Sequence, residues 1–154
     1  MSRLIVYLGR FTAIIIGFTA AALAAGLFAS LLLFGAAGWM EIVPYPADGP
    51  FYLTTFFLTV LFAYHAFGPA FIAMLIAEFA GLRDWLYHAL AGAAVAGVSI
   101  ILAWENPRAT LSDDAMPIMA ALACGMVGGI CYWAVAGRRA GAWLHGGDIR
   151  PAPP

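Results

Sequence analysis

Few side chains in this sequence are capable of proton, metal or nucleophile chemistry, so each can be weighed in turn. His65 stands near the centre of a long apolar stretch, Phe51 to Ala80, whose only other ionisable residue is Glu78 near its end. Ionisable side chains at such a depth are costly and by default mark function, so one reading of His65 is a proton-responsive or substrate-contacting group. Tyr64 precedes it, and Pro69 follows four residues on, with Gly68 beside it. Proline cannot donate to the carbonyl four residues back, which is that of His65 itself, so a freed carbonyl and a kink are expected there. The competing reading is structural, with the imidazole hydrogen-bonded to Tyr64, to Thr19 or to a backbone carbonyl. It is preferred because the other stretches offer only Gly26, Ala93, Ala94, Cys124 and Gly125 at matching depth, and no carboxylate.

Glu78 lies about one turn from the end of its stretch, where an ion pair with Arg83 or with Arg138-Arg139 is expected. On an ideal helix its 13-residue separation from His65 rotates it about 140° away, so the two do not line one straight path. His65, Tyr64, Pro69 and Glu78 thus form the candidate intramembrane polar site. His88 is only three residues into the next apolar stretch, about 10 Å off the midplane, a poor partner for His65 on one haem iron. His145 falls in the tail. Cys124 and Cys131 are two helical turns apart, roughly 10 Å, too far to bond, and read as small apolar fillers. No C-x-x-C pair, phosphate loop, nucleophile elbow or H-E-x-x-H motif occurs. No catalytic residue, metal or cofactor is therefore expected. Nucleic-acid binding is not expected either, because the basic residues form no patch beyond Arg138-Arg139.

The elements that must carry these residues follow from composition. Of 154 residues, 64% are hydrophobic and 10% charged, with a mean hydropathy of +0.93. A soluble domain carries roughly 25% charged residues, so this chain cannot cover a water-soluble globule. It reads as an integral membrane protein whose principal environment is the lipid bilayer. Four apolar stretches, 11–40, 51–80, 85–104 and 115–136, each reach the roughly 20 residues a helix needs to cross the hydrocarbon core. Backbone groups in lipid must be satisfied within their own segment, so each stretch is expected to be a helix. The expected fold is all-α and polytopic, with four transmembrane helices in an antiparallel bundle.

The connections are short. Gly81-Leu-Arg-Asp84 forces the second and third spans into a hairpin, while Pro44, Pro46 and Pro50 make a stiff turn of residues 41–50. Asn106-Pro107 stops the third span, and Ser112, Asp113 and Asp114 are placed to cap the fourth. Residues 1–137 then form one transmembrane domain and 138–154 a tail expected to be largely disordered, with a possible interfacial anchor at Trp143 and Leu144. Six of seven arginines fall on one side of this scheme, Arg3, Arg10, Arg83, Arg138, Arg139 and Arg150, and only Arg108 on the other. The excess of basic residues on cytoplasmic loops puts both termini in the cytoplasm. The lysine-free basic set hints at a GC-rich bacterial genome, and hence at the inner membrane. The first stretch is about twice the length of a signal-peptide core, so no cleavage is expected after Ala24.

Small residues recur where helices are to approach closely: Ala121, Gly125 and Gly129 in the fourth span, Gly92 and Gly97 in the third, and Gly26 in the first. Such ladders serve contacts within one chain and between chains equally. The expected function is a non-enzymatic subunit or scaffold of a larger membrane complex, partnered by another membrane protein or by copies of itself. An alternative is a small transporter or channel component working through His65 and Pro69. A weaker one is an interfacial enzyme acting on lipid through Glu78, Arg83, Asp84 and His88.

Overall fold

The computed structural model describes residues 2–36, 48–103 and 115–140. These are helical: α1 (Ser2–Ala36), α2 (Asp48–Ala80), α3 (Trp85–Ala103) and α4 (Ala115–Val135), followed by a short 3-10 turn, Gly137–Arg139. All four α-helices contain a segment long and apolar enough to cross a membrane, namely Leu8–Gly35, Gly49–Ala80, Trp85–Leu102 and Ala115–Val135. Outside the described residues lie the proline turn of 41–47, the Asn106-Pro107 stop, Arg108, the acids Glu41, Glu105, Asp113 and Asp114, the Ser112 cap and the tail from 141 onward, with Trp143, Leu144, His145 and Arg150.

The helices form because nothing in them offers the backbone a better partner than its own carbonyls. Their ends are set by local chemistry. Gly81 adopts φ 62°, the left-handed conformation that glycine takes without a Cβ penalty, and Leu82 N then donates to Ala77 O at 2.9 Å. That six-to-one bond is the Schellman termination of α2. Asp84 opens α3 as its N-cap, with Oδ1 accepting from Leu86 N at 3.2 Å. α2 runs on through Pro69.

α1 packs against α2 and α4, and α3 packs against α4 and, through far fewer contacts, α2. The α3–α4 contact is backbone against backbone. A Cβ on Gly92 would collide with the Gly125 carbonyl oxygen, one on Gly125 with the Gly92 carbonyl, and one on Gly129 with the carbonyl of His88. Gly97 makes a looser contact, with Leu122 Cδ2 at 3.6 Å from where its Cβ would lie. Gly26 serves α1 against α2 in the same way, closed over by Thr59, and a Cβ on Gly128 would approach the Ala21 carbonyl of α1 at 3.2 Å. Close approach of this kind is how helices associate where lipid removes the hydrophobic drive. Ala121 faces the interior space described below.

α1 begins nine residues before the charge-free stretch and takes in Arg10. That charge is accommodated because α1 lies against α2. Arg10 Nε donates to Glu78 Oε1 at 2.6 Å and Nη2 to Oε2 at 2.5 Å, a bidentate pair largely shielded from outside.

Candidate functional site

The four helices do not close on one another at the centre. They enclose a partly open chamber of about 370 Å³, walled almost wholly by apolar surface. α2 lines it from Leu61 to Met74 and α3 from Tyr87 to Ile100, about 20 Å of height at 1.5 Å per residue, with α1 and α4 behind. Alanines line it from both α2 and α3, among them Ala66, Ala70 and Ala91. Two hydrogen bonds cross that seam. Tyr87 Oη donates to Ala73 O at 3.2 Å, and Ser99 Oγ approaches His65 O at 3.3 Å.

The second bond meets the carbonyl that Pro69 leaves without its helical donor. Ser99 has one hydroxyl proton and also faces Val95 O at 2.7 Å, so it shares that proton between its own helix and α2. His65 is among the lining residues, and its Nδ1 donates to Leu61 O of its own helix at 3.0 Å, not to Thr19, whose hydroxyl goes to Ile15 O. Tyr64 touches the His65 ring edge to face at 5.1 Å, but its side chain points outward and is 79% exposed. Of the proposed polar site, His65 reaches the chamber, Tyr64 faces the surroundings, and Glu78 belongs to a separate cluster.

That cluster gathers one end of each helix. Glu78 pairs with Arg10 rather than with Arg83 or Arg138-Arg139, a correction to the sequence expectation. α1 packs on α2 and brings Arg10 to Glu78, while Arg83 Nε donates to Ala140 O at 2.9 Å and the Arg138 guanidinium lies 4.6 Å over the Trp133 ring. Trp133 Nε1 in turn donates to Arg83 O at 2.7 Å, tying the α2–α3 turn to the end of α4. Between these groups sits His88, 4% exposed. Its Nδ1 donates to Asp84 O at 2.8 Å and its ring stacks on Tyr132 at 5.7 Å, while Nε2 is buried against Gly137 without a partner. Glu78 is thus bound to Arg10, Arg83 to the Ala140 carbonyl, the Asp84 carboxylate to Leu86 N and the His88 ring to the Asp84 carbonyl.

Sequence reasoning passed over His88 as a buried group and did not single out a polar seam between α1 and α2. Ser30 Oγ donates to Gly26 O at 2.9 Å, and Thr55 Oγ1 lies 2.9 Å from both Ser30 Oγ and Phe51 O. Thr59 Oγ1, one turn on, is buried without a partner beside Gly26. The readable signal was Thr55 and Thr59 four apart on one helix face, since hydroxyls join helices in lipid. Cys124 is buried on the chamber wall and Cys131 half-buried, and both are free thiols. Among the described residues, no three His, Cys, Asp or Glu side chains are grouped to hold a metal ion.

Fold and site together define a class: an all-helical protein with four membrane-length apolar helices around an apolar chamber. No family model matches the chain, and no curated protein or solved structure matches it either.

Proposed function

We propose that this chain is a non-enzymatic subunit or scaffold of a larger complex in a bacterial inner membrane. In this reading residues 1–137 span the bilayer as an antiparallel four-helix bundle, both termini are cytoplasmic, and 138–154 is a cytoplasmic tail. The ion pair, the Tyr87, Ser99 and Trp133 bonds and the stacked His88 ring support it by linking alternate ends of successive helices.

The observation that carries the subunit reading is Tyr64. Its side chain is 79% exposed midway along α2, and among the described residues its hydroxyl has no hydrogen-bond partner. A hydroxyl facing hydrocarbon lacks the partners water would provide, and a neighbouring helix can supply an acceptor. The glycine ladders are taken up inside the chain, so the partner is placed on the outer face of α2, along Tyr52, Phe56, Val60, Tyr64 and Phe67. Extraction from native membranes in mild detergent, followed by crosslinking and intact mass, is expected to give a discrete complex with a different, larger membrane protein. Tyr64→Leu is expected to reduce its yield. Recovery of the chain only as a monomer or only with copies of itself overturns the reading.

The transporter alternative keeps one observation in its favour, His65 among the residues that line the chamber. The lining offers little for a hydrated solute, so an apolar substrate is the one it fits. Unchanged flux of such a substrate in reconstituted His65→Ala removes His65 from that role.

A further inference from the structure

We infer that the chamber is a binding site for one acyl chain of a bilayer phospholipid, which enters through the seam between α2 and α3. This goes beyond the subunit reading and does not depend on it. Three observations lead to it.

The chamber is tall and narrow. About 370 Å³ distributed over about 20 Å of helix is a column, and its volume lies at the small end of the range of ligand pockets. Its wall is almost wholly apolar, so water entering it finds few partners, while an empty column forfeits the dispersion contacts of every atom facing it. Protein interiors keep few voids larger than a water molecule, and a space of this size is one that something fills.

The seam admits a chain sideways. α2 and α3 touch least of the neighbouring pairs, and their two crossing hydrogen bonds lie at separated heights, Tyr87 to Ala73 below and Ser99 to His65 above. Between those heights the chamber lining includes Ala66, Ala70 and Ala91, whose side chains are too short to fill it. On α3 and α4, by contrast, Gly92, Gly125 and Gly129 bring the helices into backbone contact. Phe62, Met74 and Tyr87 line the chamber together with the three alanines, on the two neighbouring helices that touch least.

The occupant follows from the surroundings. A membrane-length helix pair that opens laterally faces the hydrocarbon of the bilayer, where acyl chains are the solvent itself. A segment of extended chain matches both the shape and the apolar wall.

The test uses the full chain in nanodiscs of phosphatidylethanolamine and phosphatidylglycerol containing a phosphatidylethanolamine with a diazirine midway along one acyl chain. After irradiation, adducts are located by peptide mass spectrometry. Labelling of outer residues such as Phe56 and Ile101 reports ordinary lipid contact. The expected result is a second set on the buried residues Ala70 and Cys124, lost in Ala91→Phe and independently in Ala66→Phe, with the outer set retained. Labelling confined to the outer faces of the unmodified protein overturns the inference without recourse to any variant. So does an inner set that persists in both filled variants. A parallel arm with diazirine-bearing palmitate separates the sources: inner adducts from the free acid but not from the phospholipid overturn the assignment to bilayer lipid. The labelling is read on the isolated chain, so its outcome stands apart from whether a protein partner is found.

Discussion

Arg10 and Glu78 form the only charge pair seen between helices among the described residues, and both side chains are mostly shielded. Removing one partner leaves the other charge in an apolar contact, which is more damaging than losing the bond itself. Glu78→Gln and Arg10→Gln are each expected to lower stability by about 2 kcal/mol, and their combination by much less than the sum. Denaturant titration in detergent checks this, and additive losses would show that the pair is uncoupled. At the chamber, Ser99→Ala is expected to cost about 0.6 kcal/mol, typical of a hydrogen bond between membrane helices. In a Pro69→Ala background residue 69 regains a donor for the His65 carbonyl, so the same Ser99→Ala change is expected to cost less. An equal loss in both backgrounds would remove Ser99 as the cap of that carbonyl. The proline effect was legible in the sequence, because an i to i−4 relation needs no tertiary structure. Which hydroxyl answers the freed carbonyl was not, since Ser99 is 34 residues away.

At the scale of elements, glycine carries different meanings at different positions. A Cβ on Gly125 meets the Gly92 carbonyl and Ala96 Cβ, whereas one on Gly68 meets nothing. Gly125→Ala is therefore expected to push α3 from α4 and destabilise by about 2 kcal/mol or more, the range of core overpacking. Gly68→Ala is expected to be neutral or to stabilise by up to about 1 kcal/mol through helix propensity. Thermal unfolding of the two variants in one detergent decides it, and similar midpoints would mean that α3 and α4 do not meet at these glycines. Periodicity marked the ladders but could not assign them to a neighbour, because small residues at intervals of four suit any close helix pair. The Gly81 turn was legible as a hairpin from its length alone. The latch from Trp133 and Arg83 that binds this turn to the end of α4 depends on residues 50 and 57 positions apart.

For the whole molecule, orientation rests on arginine placement. Arg10, Arg83 and Arg138 lie at the helix ends that the cluster around His88 draws together, consistent with one basic side. A reporter fused after Pro154 that fluoresces only in the cytoplasm is expected to be bright, and one that needs export is expected to be inactive. The reverse pattern would invert the topology. Filling the chamber tests the molecule as a unit in another way. Ala91→Leu is expected to raise the unfolding midpoint in detergent, because added methylenes on the chamber wall gain dispersion contacts with its other side. A lowered midpoint would mean that the column closes in solution.

Apolar run length determined, without any structure, the four helices long and apolar enough to cross a membrane among the described residues, because the cost of burying a charge in hydrocarbon acts on each residue separately. Those are sums over local terms, and a sequence displays them directly. Which arginine meets Glu78, which histidine is buried, and whether small side chains make a contact or a void are properties of pairs of helices. They were decided only when α1 came to lie beside α2, and when α3 settled closely on α4 and loosely on α2. Small residues make a backbone contact between α3 and α4 and line a chamber between α2 and α3, because packing depends on what stands opposite.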